Sequence, residues 1–127
     1  MDGGISDAIP VNQALRDGNK RIVAVLTRQR GYRKKKSGSR VLLRLIYRKY
    51  PEMLKTFRER AERYNRTLDA LEEMERTGKA FIIRPKKALA IARMENDPGK
   101  LRKVYESAVA EIQELVPGLQ QWRKLGN

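Results

Sequence analysis

The sequence predicts an α/β fold that is rich in helix, with one buried strand plus one short strand. Apolar side chains in residues 53–74 are spaced alternately three and four apart, which is typical of an amphipathic helix. Residues 101–116 repeat this spacing. Residues 22–26 form a short β-branched run, which favours a strand buried on both faces of a parallel sheet. The length of 127 residues suits one domain with a modest core.

The first elements follow from glycine and proline positions. Residues 2–9 are predicted to form a turn, because Gly3 and Gly4 permit backbone conformations that other residues avoid. Pro10 suits the first position of a helix, where its missing N–H costs nothing, and Gly18 ends that helix. The buried strand 22–26 comes next.

The middle of the chain is predicted to be a basic loop followed by helices. Residues 31–39 have no periodicity, and residues 41–46 mark a first helix. Pro51 restarts the helix, since proline breaks the hydrogen-bond ladder, and Gly78 stops it.

The last third contains one short strand and one long helix. Residues 80–84 are predicted to form the strand, and residues 85–95 an irregular segment. Asp97 and Pro98 are predicted as the N-cap and first residue of a helix that closes at Pro117-Gly118. Residues 119–125 make a final short helical turn.

The chain contains no cysteine and no histidine. Disulfides, thiolate nucleophiles, Ser-His-Asp catalysis and ordinary zinc sites are therefore excluded, and we expect no metal and no cofactor. The longest apolar runs, 22–26 and 88–92, are far shorter than the ~20 residues that span a bilayer. We expect a cytoplasmic location, with peripheral attachment to a membrane as the alternative.

The net charge of +14 is concentrated in the middle of the chain. Residues 31–66 contain thirteen basic and three acidic residues. Such a segment favours a polyanionic partner: an anionic membrane surface, nucleic acid or an acidic protein. A solvated arginine-rich helix face is the alternative. The predicted anion or membrane contacts are Arg33, Lys34, Lys35, Lys36, Arg40, Arg44 and Arg48.

The first 35 residues contain an ordered set of motifs. The combination resembles the last catalytic motif of bacterial patatin-like phospholipases, and a looser similarity continues over residues 92–105. The four motifs are Asp2-Gly3-Gly4, Ile9-Pro10-Val11, Val25-Leu26-Thr27-Arg28 and Gly31-Tyr32-Arg33.

The resemblance implies a fold, a reaction and a division of the chain. The segment would belong to the C-terminal side of a patatin-like three-layer fold. Residues 1–32 would end the catalytic domain, and residues 33–127 would form a basic helical extension. The family hydrolyses lipid acyl esters through a Ser-Asp dyad, and Asp2 would be its carboxylate, with Gly3 and Gly4 shaping the turn. The alternative for Asp2 is an ordinary residue of a glycine turn.

The sequence departs from that family because it has no Gly-x-Ser-x-Gly nucleophile. Gly4-Ile5-Ser6-Asp7-Ala8 imitates the motif, but no strand precedes it and its last residue is alanine. We therefore expect Ser6 to be a turn hydroxyl and the chain to be inactive alone. The expected partners are lipid acyl esters and an upstream catalytic segment of the same protein.

The alternative function is that of a basic helical binding protein for nucleic acid or an anionic membrane surface. Nucleic acid is the less favoured partner, because aromatic residues are only 6% of the chain and are not interleaved with the basic stretch.

Overall fold

The computed structural model describes residues 7–35, 48–92 and 94–126. The predicted helix over residues 41–46 lies outside these ranges. The described residues form a helix-rich α/β protein with two short strands, as the sequence predicts. In chain order its elements are α1 (Val11–Arg16), β1 (Ile22–Val25), α2 (Pro51–Arg76), β2 (Ala80–Ile83) and α3 (Pro98–Lys124).

The chain divides into two compact units. The first contains residues 1–20 and 33–74, and the second contains residues 21–32 and 75–127. Both strands and α3 therefore belong to the second unit, whereas α1 and nearly all of α2 belong to the first. The domain boundary that the sequence suggests between residues 32 and 33 stays a prediction.

The two strands pair in parallel. Ile22 lies opposite Ala80 and Val25 lies opposite Ile83. The ladder is continued by the Leu26 N–H, which donates to the Ile83 carbonyl oxygen at 2.8 Å. Parallel strands need a long crossover between them, and α2 occupies that place in the chain. The sheet consequently brings the carboxyl ends of both strands to one edge.

The prediction that the first strand is buried on both faces is wrong. Ala24 is buried, but Val23 and Val25 are 48% and 69% exposed. Their partners in the register, Phe81 and Ile83, lie on the same face of the sheet. The helix α3 packs on β2 and leaves that face of β1 open to solvent.

Helix α2 has the predicted amphipathic character. Ala61, Leu68 and Leu71 are buried on one side of the helix, and Leu71 is completely inaccessible. The chain leaves the helix through Gly78, whose φ of +73° is a conformation that glycine adopts without strain. The predicted helix start at Pro51 and stop at Gly78 are confirmed.

Helix α3 begins as predicted but does not end as predicted. The Asp97 carboxylate accepts hydrogen bonds from the N–H groups of Gly99 and Lys100, at 2.8 and 3.3 Å. The helix continues through Pro117 to Lys124, so the predicted end at Pro117-Gly118 is wrong.

Contacts made by Trp122 hold the part of α3 that follows the proline. The Trp122 Nε1–H donates to the Gly78 carbonyl oxygen at 2.9 Å. Its ring lies 5.9 Å from the Phe81 ring and beneath the Arg21 guanidinium, 3.7 Å from the centroid. Tertiary packing thus outweighs the local preference of proline to end a helix.

Candidate functional site

The predicted catalytic residues lie outside the described part of the chain. Asp2, the predicted catalytic carboxylate, precedes residue 7, where the description begins, and so do the predicted turn residues Gly3 and Gly4 and the predicted turn hydroxyl of Ser6. Their roles, which came from the resemblance alone, stay predictions.

The basic segment begins with an ordered stretch that is held against α2. Asn65 makes two hydrogen bonds with the backbone of Lys34. Its Oδ1 accepts from the Lys34 N–H at 2.8 Å, and its Nδ2 donates to the Lys34 carbonyl oxygen at 3.1 Å. An amide side chain that pairs with both backbone groups of one residue fixes the path of the chain there. The two hydrogen bonds of Asn65 therefore hold residues 33–35 against α2.

Acidic side chains of α2 compensate part of the predicted cationic site. The Arg33 guanidinium lies 2.6 Å from an Asp69 carboxylate oxygen and 3.5 Å from a Glu72 oxygen. The Lys34 ammonium lies 5.1 Å from the Tyr64 ring centroid, within the range of a cation–π contact. These two charges are already engaged within the first unit.

Other cations of the first unit are exposed. Of the predicted contacts, Lys35 and Arg48 are exposed, whereas Lys36, Arg40 and Arg44 fall in the undescribed range 36–47. Within the described residues of this unit between 33 and 74, five exposed cations have no carboxylate within ion-pair distance. We call them the cationic set: Lys35, Arg48, Lys49, Lys55 and Arg66.

Sequence reasoning missed the residues that organise this region. Asn65, Asp69 and Glu72 follow one another at intervals of four and three, so they lie on one face of α2. This polar stripe was visible in the sequence. Nothing in the sequence, however, indicated that residues 33–35 would pack against it.

No helix in the described ranges combines the length and the apolar composition needed to cross a membrane.

A family model for a domain of unknown function, DUF6363, matches residues 50–124. The match covers more than half of the chain, which therefore belongs to this family. No curated protein matches the chain, and neither does any solved structure.

The resemblance to patatin-like phospholipases is corrected by this result. The family that matches is the domain of unknown function, and no patatin or phospholipase family does. The four motifs that carried the resemblance are short and lie before residue 36, whereas the looser similarity over residues 92–105 falls within the family match, which covers α2, β2 and α3.

Proposed function

We propose that this chain binds anionic membrane surfaces through its basic middle segment. The observation that carries the proposal is the excess of ten positive charges in residues 31–66, in a chain of net charge +14. The cationic set adds that five of these cations are exposed and have no carboxylate partner among the described residues. A basic residue held at an anionic bilayer contributes about 1 kcal/mol.

Tyr50 favours a membrane over nucleic acid as the partner. Its side chain is 60% exposed and follows directly after Arg48 and Lys49. A tyrosine beside cations suits the level of the lipid head groups, where its ring and its hydroxyl both find a suitable environment. Binding of single-stranded nucleic acid needs several free rings on which successive bases stack. Among the described tyrosines, Tyr32 and Tyr64 already have a cation over the ring.

Vesicle co-sedimentation tests the proposal. We expect the chain to bind vesicles containing phosphatidylserine and not vesicles of phosphatidylcholine alone, with affinity that falls as salt is raised. The triple variant Lys35→Gln, Arg48→Gln, Lys49→Gln should bind about a hundredfold more weakly.

The matched control removes the same charge from the second unit. Lys79→Gln, Arg102→Gln, Lys124→Gln changes three exposed cations that lie outside the basic segment. It should lose much less affinity than the first triple variant, and circular dichroism should show that both remain folded. Equal losses would mean that only net charge matters, and a preference for duplex DNA over vesicles at equal salt would contradict a membrane role.

Hydrolysis of lipid acyl esters is our second proposal. The observation that favours it is the parallel pair β1 and β2 with the open apolar face at Val23 and Val25. Parallel strands occur almost only in larger α/β sheets covered on both faces. The reaction would need a serine nucleophile, and this chain has no Gly-x-Ser-x-Gly motif, so we expect no ester turnover from this chain alone. Turnover that Ser6→Ala abolishes would contradict that expectation.

A further inference from the structure

The second unit contains an apolar pocket at the carboxyl ends of its two strands. Its volume is about 400 Å³. One wall is Val25 and the two residues after β1, another is the chain from Ile83 to Ala90, and the third is α3 between Lys103 and Leu115. We call it the strand-end pocket. Ligands of α/β proteins characteristically bind at this edge of a sheet, and the volume lies in the range of small-molecule sites.

The lining is apolar and partly open to water. Val25 is 69% exposed and Ile112 is 42% exposed. The remaining wall is largely alanine, leucine, isoleucine and valine. The pocket exists because α3 covers β2 and leaves the adjoining face of β1 open. An acyl chain placed there would remove this apolar surface from water.

The charges around the pocket favour an anion. Lys87 and Lys103 line it, and within the described residues neither has a carboxylate at ion-pair distance. The pocket's Glu111 carboxylate accepts a hydrogen bond from the Lys86 backbone N–H at 3.0 Å.

Two neighbouring cations, in contrast, already have acidic partners. The Lys86 ammonium lies 2.5 Å from a Glu114 oxygen, and this hydrogen bond raises the pKa of Lys86. The Arg84 guanidinium lies 3.1 Å from a Glu75 carboxylate oxygen. Lys87 and Lys103 are thus the cations left to meet a ligand.

We propose that the strand-end pocket binds a single-chain anionic amphiphile, such as a fatty acid. Its acyl chain lies along Val25 and Ile112, and its carboxylate lies at Lys87 and Lys103. The proposal does not depend on membrane binding by the cationic set, since that set belongs to the other unit.

Isothermal titration calorimetry with monomeric laurate, without vesicles, tests the proposal. Laurate should bind, and decanoate should bind about tenfold more weakly, because each buried methylene contributes to affinity. Dodecanol should bind more weakly than laurate. A parallel titration with lysophosphatidylglycerol shows whether a phosphate head group can take the place of the carboxylate in binding. Absence of binding, or affinity that does not depend on chain length, would overturn the proposal.

Variants locate the site. Ile112→Glu places a carboxylate in the lining and should weaken laurate binding at least tenfold. Val109→Glu is the matched control, because Val109 lies on the same helix, is 37% exposed and does not line the pocket. The double variant Lys87→Gln, Lys103→Gln should weaken laurate about tenfold and leave dodecanol unchanged. Equal losses from both glutamate variants, or an unaltered laurate affinity in the lysine variant, would place the ligand elsewhere.

The vesicle experiment and the laurate experiment test separate proposals, so either proposal can be contradicted while the other stands. The triple variant Lys35→Gln, Arg48→Gln, Lys49→Gln should bind laurate with unchanged affinity. A loss of laurate binding in that variant would contradict the strand-end pocket as the site.

Discussion

Asn65 shows how one side chain organises the start of the basic segment. Both of its polar atoms are used by the backbone of Lys34, at 2.8 and 3.1 Å. Asp69, one helical turn further along α2, pairs with Arg33. The same face of the helix therefore fixes the path of residues 33–35 and compensates the charge of Arg33.

Replacing Asn65 should release this stretch. We expect Asn65→Ala to lower the free energy of unfolding by about 1–2 kcal/mol, since two hydrogen bonds at a half-buried site are lost. The Lys34 amide hydrogen should also exchange faster. Urea unfolding and amide exchange measure the two effects. Asn12→Ala, at an exposed position in α1, is the control and should change neither.

Glu75 is a second residue with more than one partner. Its carboxylate accepts from Arg30 at 2.6 Å and from Arg84 at 3.1 Å, and the Arg84 side chain is only 10% exposed. A cation so far from water needs a counter-charge.

Glu75→Gln should therefore destabilise the protein by about 1–3 kcal/mol, mainly through Arg84. Thermal unfolding measures the loss. Glu106→Gln, at an exposed position of α3, should cost clearly less, and an equal loss of stability in both variants would contradict the role of Glu75 as the counter-charge of Arg84.

At the scale of elements, α3 carries a proline in its interior. Pro117 cannot donate the backbone hydrogen bond that helical residues normally make. Pro98 lies in the first turn of the same helix, where the backbone N–H has no helical acceptor. The two prolines therefore differ in how much each lowers the free energy of unfolding, although both belong to α3.

Pro117→Ala should raise the free energy of unfolding by about 2 kcal/mol, because an interior proline costs up to ~3 kcal/mol relative to alanine. Pro98→Ala should change it by much less. Chemical unfolding of the two variants checks the difference. A Pro117→Ala variant no more stable than the parent would mean that the Trp122 contacts need the geometry that proline imposes.

The helices and strands show which parts of the fold are readable from sequence. The start of α2 and the N-cap of α3 depend on residues that are neighbours in the sequence, so Pro51 and Asp97 predict them correctly. The continuation of α3 depends on Trp122, which reaches Gly78 across the fold. The exposure of Val25 depends on where α3 packs. Long-range contacts of this kind leave no local pattern in the sequence.

The candidate sites divide in the same way. The concentration of positive charge in residues 31–66 can be read from the sequence alone. Neutralisation of Arg33 by Asp69 is a property of the folded chain. The strand-end pocket joins three segments that are distant in sequence, so no motif marks it.

At the scale of the whole molecule, the two proposed binding features belong to different units of the chain. The cationic set belongs to the first unit, and the strand-end pocket belongs to the second. The two proposals therefore predict different responses to salt.

We expect vesicle binding to weaken about tenfold or more when salt is raised from 0.05 to 0.2 M, because several cations act together at the surface. Laurate binding should weaken much less, since most of its affinity would come from the acyl chain. Titrations of both ligands across this range measure the two slopes. An equal salt dependence of vesicle binding and laurate binding would contradict the assignment of the two ligands to different sites.

Trp122 is the single tryptophan of the chain, and its ring is half-buried against Phe81 in the second unit. Selectively excited fluorescence therefore reports on the second unit alone. Far-UV circular dichroism, in contrast, reports on helix from both units. Coincident melting curves from the two signals would mean that the units unfold as one cooperative body. Separated curves would identify which unit opens first, without any label having to be introduced.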